Sequence, residues 1–225
     1  MYIDIHNHCL PQVDDGAGSP EEAFAMVEQY RQNQIEEIIV TPHFHYRRGQ
    51  TCAERILEET FRFREALQRN GISFRVHTGN EIYYSHDVPE LLSQSKVLTL
   101  ADSCYALIEF SPDELFTKMR DGLYQIIISG FFPVLAHAER IWAFHEDMSR
   151  LCELAELGVY IQINIDDVKS GADFRMKRFV KTAIENDLVH FLATDAHGSR
   201  ERTPQVGKDL TYIRRKFGED FLKRV

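Results

Sequence analysis

His6 and His8 stand one residue apart in the string Asp4-Ile5-His6-Asn7-His8, and the same residue types recur along the chain: in Thr41-Pro42-His43, in Gly79-Asn80-Glu81, at Glu109, at His137 and in Asp195-Ala196-His197. Imidazole and carboxylate together suit Mn, Fe or Zn, whereas all-oxygen sets suit Mg and Ca. A His-x-His pair at a fraying strand end can turn both rings toward one ion, and Glu81 or Glu109 can bridge two ions through its two oxygens. Several divalent cations held this way activate a water and neutralise phosphate oxygens. Arg140 follows His137 by three residues, and Arg200 and Arg202 follow His197 closely. Guanidinium forks match pairs of phosphate oxygens. Hydrolysis of a phosphate ester is the chemistry this set predicts.

A lone His or Glu at a strand end is more often a surface or satisfied polar residue. The inference rests on the coincidence: five of the ten histidines (His6, His8, His43, His137 and His197) end apolar runs. His77, His145 and His190 fall within strands or beside helices and read as structural. His45 and His86 are loop positions open to substrate contact, and Tyr83-Tyr84 reads as packing.

The elements that must bring these residues together alternate. Strands are predicted over 2–6, 37–41, 73–78, 105–110, 132–136, 159–163 and 188–193. Helices are predicted from Ser19 to about Gln32, over 53–69, 113–129, 147–157 and 174–185, and over roughly 206–217. The first has Ser19 as N-cap, Pro20 at the first helical position and Glu22 in capping-box position. Residues 91–100 read as irregular or a short hairpin arm. This βαβα order predicts a parallel sheet covered by helices. The length of 225 residues fits a distorted (β/α) barrel of seven or eight strands. In such barrels the C-terminal strand ends share one face, so distant residues meet there. There is no linker, repeat or low-complexity stretch, so residues 1–225 read as a single domain.

Composition narrows the function. The net charge is −9 and hydrophobic residues make up 44% of the chain. The nearest basic cluster, Arg47-Arg48, is too short for a nucleic-acid stripe, so no nucleic-acid partner is expected. No apolar run spans a bilayer and the acidic N-terminus lacks signal-peptide features, so a soluble cytoplasmic protein is expected. Cys9, Cys52, Cys104 and Cys152 lie far apart and form no C-x-x-C pair. Six residues after them come Asp15, Glu58, Phe110 and Gly158, so no Cys-x5-Arg phosphatase loop exists. Nucleophile-elbow, Walker A and G-x-G-x-x-G strings are also missing.

The strings Asp4 to His8, Leu10-Pro11, Asp14-Asp15-Gly16, Thr41-Pro42-His43, Glu81-Ile82-Tyr83, Ala106 to Phe110, Pro133 to Arg140 and Asp195-Ala196-His197 resemble, in order and over nearly the whole chain, the PHP (polymerase and histidinol phosphatase) superfamily. Within it they are similar to the bacterial manganese-dependent protein-tyrosine phosphatases of capsule and exopolysaccharide systems. The resemblance implies a distorted TIM-like barrel, three divalent ions (Mn, with Fe, Zn, Co or Mg as alternatives), and as substrate a phosphotyrosine-bearing tyrosine kinase that controls polysaccharide synthesis. Carried over by position, the ligands are His6, His8, Asp15, His43, Glu81, Glu109, His137, Asp195 and His197, with Asp14 interchangeable with Asp15. Arg140 and Arg202 match phosphate-binding arginines better than Arg200 does. Two features depart from the family pattern: the chain stops soon after its last predicted helix, and Phe44-His45-Tyr46-Arg47-Arg48 fills a variable loop. A small-metabolite phosphatase, such as one for histidinol phosphate, is the alternative. An open, shallow mouth favours a protein substrate and a closed pocket favours the metabolite.

Overall fold

The computed structural model describes residues 2–46, 52–169 and 174–225. Its strands are β1 (Tyr2–Asp4), β2 (Ile35–Val40), β3 (His43–Phe44), β4 (Arg75–Thr78), β5 (Glu81–Tyr83), β6 (Tyr105–Glu109), β7 (Phe132–Leu135), β8 (Tyr160–Asn164) and β9 (Phe191–Ala193). The helices are α1 (Pro20–Gln32), α2 (Ala53–Arg69), α3 (Val88–Ser93), α4 (Phe116–Ile128), α5 (Trp142–Glu146), α6 (Ser149–Leu157), α7 (Ile165–Lys169), α8 (Phe174–Glu185), α9 (Gly207–Phe217) and α10 (Glu219–Arg224).

All strand pairs are parallel, in the orders β1-β2-β4 and β3-β5-β6-β7-β8-β9. Only Thr41-Pro42 separates β2 from β3, and only Gly79-Asn80 separates β4 from β5, so each pair is one interrupted strand. Seven strand positions therefore follow one another around the sheet. The last returns to the first: Asn7 bridges Ala196, the His8 amide donates to the Ala196 carbonyl at 2.8 Å, and the Asp195 amide donates to the His6 carbonyl at 2.9 Å. The result is the distorted barrel the alternation predicts.

Strand alternation divides the side chains. Ala106 and Ile108 of β6 pack into the large core beneath the helices, while Leu107 joins Ile39, Leu100, Val134 and Ala136 in a small inner cluster. Tyr105, Phe132, Tyr160 and Phe191 cluster where their strands begin, with ring centroids 5.1 Å apart for Tyr105–Tyr160 and 5.4 Å for Tyr105–Phe132. That end of the barrel is filled with apolar side chains, which leaves the other end for polar chemistry.

The helices form as their sequences dictate. The Ser19 hydroxyl accepts the Glu22 amide at 3.3 Å, and α1 buries Ala23, Met26, Val27 and Tyr30, one face of a 3.6-residue period. The Glu22 carboxylate reaches back to the Gly18 amide at 3.0 Å rather than to Ser19, and also accepts the Ser199 amide at 3.3 Å. The capping residue thus also holds the loop after β9.

Several expectations need correction. Residues 91–100 are not a hairpin arm: Pro89 in the first turn and the buried Leu91 and Leu92 make α3, and a 3-10 turn follows at Leu100–Asp102. The helix expected from Asp113 starts at Phe116, because Asp113 accepts a hydrogen bond from the Ser111 hydroxyl. The helix expected from Asp147 starts at Ser149, whose amide donates to the Asp147 carboxylate at 3.0 Å. The short helices α5, α7 and α10 were not legible, being too brief to show a period. Arg47 and Arg48 lie outside the described residues. Among the described residues no helix is long and apolar enough to cross a membrane.

The barrel seam is held by a buried carboxylate. Asp4 accepts the Tyr30 hydroxyl at 2.8 Å, the Thr194 hydroxyl at 2.7 Å and the Thr194 amide at 3.0 Å, tying β1 to α1 and to the end of β9. Tyr30→Phe removes one donor from this buried group and should cost about 1–3 kcal/mol. Urea unfolding should show the loss as a lower midpoint at unchanged slope; an unchanged midpoint would contradict it.

Candidate metal centre

The strand ends that the sequence singles out do meet. His6, His8 and Glu81 have ligand atoms within 4.8 Å of one another, as do His8, Asp15, His43 and His197, and as do His43, Glu81 and Glu109. The three groups share His8, His43 and Glu81, so they form one continuous cluster. Glu81 sits at its centre: Oε1 lies 2.9 Å from His137 Nε2 and 3.3 Å from His6 Nε2, and Oε2 lies 2.8 Å from His43 Nδ1 and 3.4 Å from His8 Nε2. Glu109 Oε1 is 3.5 Å from His137 Nε2. Asp195 Oδ1 lies 3.4 Å from His6 Nε2, 3.5 Å from His8 Nε2 and 3.6 Å from His197 Nδ1.

Buried polar atoms normally have partners. Here His6 Nε2, His8 Nε2, His197 Nε2 and His137 Nδ1 are buried without a hydrogen-bond partner. All but His137 Nδ1 face the shared space. Such a set, rich in imidazole and carboxylate, fits divalent cations of the Mn, Fe or Zn type.

Other side chains aim the rings. The two aspartates that the sequence leaves interchangeable have different places. Asp14 Oδ2 lies 2.6 Å from His8 Nδ1 and accepts the His43 amide at 3.0 Å, while Asp15 Oδ1 lies 3.3 Å from His43 Nε2 and 3.6 Å from His197 Nε2. Asp14 holds the back of His8, and Asp15, 67% exposed, faces the cluster from the rim. Gly16 lets this loop lie against the strand: a Cβ there would stand 2.0 Å from the His8 carbonyl oxygen. On the opposite wall, Gln162 Oε1 lies 3.0 Å from His6 Nδ1 and accepts the His137 amide at 2.9 Å. Gln162 Nε2 donates to Asn164 Oδ1 at 2.9 Å, and Asn164 Nδ2 donates to Asp195 Oδ2 at 3.0 Å. This relay from β8 connects residues of β1, the β7 end and the β9 end. The sequence reading missed it, although two amides at alternate positions of the apolar run Tyr160-Ile161-Gln162-Ile163-Asn164 are a readable signal.

Arg140 Nη2 and Arg202 Nη2 both donate to Asp195 Oδ2, at 3.0 Å and 2.7 Å. Arg200 is exposed and lines a neighbouring cavity with Asp15, Glu22, His197 and Arg202. His137, Asp195 and Arg202 all adopt positive φ, at 32°, 51° and 45°. Backbone strain of about 1–3 kcal/mol per such residue persists only where the surroundings hold it. The histidines read as structural behave so: His77 pairs with Glu37 at 3.0 Å, His145 meets the Glu139 carbonyl at 2.6 Å, and His190 Nδ1 accepts the Ile161 amide at 3.1 Å.

Charges at the site are set by mutual proximity. Burial works against the charged form of His8, yet Asp14, Asp195 and Glu81 hold its pKa well above the usual imidazole value. Burial is likewise overcome at His137, where Glu109 and Glu81 push it up to about 10. The surrounding histidines, against burial, keep Glu81 and Asp195 well below the carboxylate range. Burial, His8 and Arg202 bring His197 down to about 4, so it is neutral. The carboxylates hold protons on His8 and His137 at positions where a cation would compete for the same lone pairs, so a cation binding here would displace protons.

Gln162→Leu should lower affinity for Mn or Zn roughly 10–100-fold, because partners that orient metal-ligating rings carry that much. Titration calorimetry measures it; unchanged affinity would mean the relay does not orient the ligands.

Residues 2–225 match the family described as capsular polysaccharide synthesis, CpsB/CapC. The tyrosine-protein phosphatase CpsB of Streptococcus pneumoniae is 36% identical over 222 residues, covering 96% of this chain and 91% of that protein. The tyrosine-protein phosphatase YwqE of Bacillus subtilis (strain 168) is 31% identical over 218 residues, covering 97% of this chain and 86% of that protein. Among solved structures, one from work on YwqE of B. subtilis and CpsB of S. pneumoniae, described as unique metal-dependent tyrosine phosphatases, superposes with a TM-score of 0.91 at 30% identity, over 98% of this chain and 89% of that one. The histidinol phosphate phosphatase of Lactococcus lactis shares the fold, with a TM-score of 0.64 at 14% identity over 96% of this chain and 93% of that one. By sequence and by structure, this chain belongs to the CpsB/CapC family.

Proposed function

We propose that this chain is a cytoplasmic, metal-dependent protein-tyrosine phosphatase, acting as one catalytic domain on a phosphotyrosine-bearing tyrosine kinase of a capsule or exopolysaccharide system. The observation that carries the reading is the convergence of imidazole and carboxylate groups from six strand ends on one space, where the buried Nε2 atoms of His6, His8 and His197 have no hydrogen-bond partner. Family membership supports the phosphotyrosine assignment. The residues that would hold the ions are His6, His8, Asp15, His43, Glu81, Glu109, His137, Asp195 and His197. The three overlapping groups suit three ions, and the mixed nitrogen and oxygen donors suit manganese.

Bound cations supply Lewis acidity and bring the pKa of water toward neutrality. The protein's own part is to bind and orient. Arg140 and Arg202 are held side by side by one oxygen of Asp195, and each guanidinium has further N–H donors for phosphoryl oxygens. Their placement before substrate arrives removes the cost of ordering them during reaction. The relay Gln162–Asn164 and the carboxylate of Asp14 keep the rings in register. A tyrosine leaving group has a pKa of about 10, so it departs without a strong general acid.

The mouth is open rather than closed. Asp15 is 67% exposed, and a cavity of about 590 Å³ lined by Asp14, Asp15, His43, Phe44, His45, Tyr83 and Glu109 leads to the cluster. That shape suits a phosphate carried on a protein more than an enclosed metabolite.

Chelation should abolish turnover of a phosphotyrosine peptide, and Mn should restore it; full activity after verified metal removal would overturn the reading. Arg140→Ala should lower kcat/KM about 10²–10³-fold, the usual loss for one preorganised donor at developing charge. Its bound-metal content should stay at the wild-type level, and an unchanged kcat/KM would remove Arg140 from the phosphate site.

A further inference from the structure

Beside the metal mouth lies a second cavity, of about 700 Å³, that the chemistry above does not use. Its walls are His45, Tyr83 and Tyr84 on one side and the exposed face of α4 on the other. His45 and Tyr83 line both cavities, so the two adjoin across this pair.

Strand register explains why. His43 pairs with Glu81 across β3 and β5. Side chains two residues further along a strand point the same way, so His45 and Tyr83 form the next rung outward. Their rings stack with centroids 4.8 Å apart and planes within 9°. A flat aromatic pair thus stands directly beyond the ligand pair. The Tyr84 amide donates to the Glu109 carbonyl at 2.9 Å, which ties the cavity floor to another strand end of the site.

The floor is built, not incidental. The Tyr84 ring stacks on Phe110 at 4.8 Å and lies over α4 where Gly122 leaves room. A Cβ at Gly122 would stand 2.3 Å from Tyr84 Cζ. Glycine inside a helix is otherwise unfavourable compared with alanine, and here it seats the ring. Buried Ser85 Oγ, on the same wall, has no hydrogen-bond partner. On α4, Thr117, Asp121 and Gln125 face the cavity at successive turns, a run of about 12 Å, enough for three or four extended residues. The nearby charges are paired, Lys118 with Glu114 just before α4 at 2.6 Å and Asp121 with Arg120 of α4 at 2.9 Å. Recognition would come through aromatic packing and hydrogen bonding rather than net charge.

We propose that this groove binds the polypeptide flanking the phosphotyrosine, as an extended segment whose apolar or aromatic side chain packs on Tyr83 and Tyr84. The inference rests on the phosphotyrosine reading above. The groove makes a protein-borne phosphate a better substrate than a small aryl phosphate, through binding rather than through the chemical step.

The test compares a phosphotyrosine peptide, with four residues on either side and an aromatic residue among them, against para-nitrophenyl phosphate, in the Mn-loaded protein. Asp121→Trp fills the groove from an exposed position. Gly122→Ala displaces Tyr84 while improving the local helix former. Each variant should raise KM for the peptide about tenfold or more, the effect of losing one good anchor, with kcat for the peptide and turnover of the small ester within about twofold of wild type. Peptide KM unchanged in both variants would overturn the groove, and so would equal losses on both substrates. A wild-type protein that cleaves the small ester but not the peptide would instead overturn the phosphotyrosine reading, and this inference with it.

Discussion

Buried nitrogen and oxygen atoms without hydrogen-bond partners are costly, and this protein concentrates them in one place. His6 Nε2, His8 Nε2 and His197 Nε2 all lack hydrogen-bond partners, while the other ring nitrogens of His6, His8 and His197 are engaged by Gln162, Asp14 and the Asp195 carbonyl. One edge of each ring is fixed so that the other is presented. Without a cation the site holds several ionised carboxylates and protonated imidazoles in mutual contact, and burial opposes nearly every one of those charges. A divalent ion satisfies the same lone pairs at once. The rest of the architecture follows from the need to bring these groups within a few ångströms.

Parallel strands do this economically. Each strand contributes at its C-terminal end, the aromatic residues close the opposite end, and the backbone bonds between His6–His8 and Asp195–Ala196 fasten first strand to last. Asp4 locks that seam from behind through Tyr30 and Thr194. His137, Asp195 and Arg202, all at this mouth, have positive φ. The same register that pairs His43 with Glu81 sets His45 on Tyr83, so this pair passes without a break into an aromatic rim.

Much of this was legible in the chain because strand ends are short, apolar runs with abrupt polar stops. Ile38-Ile39-Val40 before Thr41-Pro42-His43, and Ala106-Leu107-Ile108 before Glu109, mark both the element and its functional tip. What was not legible depends on contacts between distant segments. Asp14 and Asp15 look equivalent in sequence; only the fold sets one behind His8 and the other on the rim. Gln162 and Asn164 sit in a strand with no His or acid at its end, so residue type alone did not single them out. Asp113 and Asp147 looked like helix starts, but each bonds a nearby serine and delays its helix by two or three residues. His45 reads as a loop position open to substrate contact, and its stack on Tyr83 is a fact of register rather than composition.

On the proposed reading, these nine side chains hold a cluster of cations at one mouth. The most direct measurement is a crystal structure of the Mn-loaded protein with anomalous diffraction collected at the metal edge. Three anomalous peaks among His6, His8, Asp15, His43, Glu81, Glu109, His137, Asp195 and His197 are the expected result. No peak at that mouth in protein shown to be metal-loaded, or ions bound only elsewhere on the surface, would contradict it.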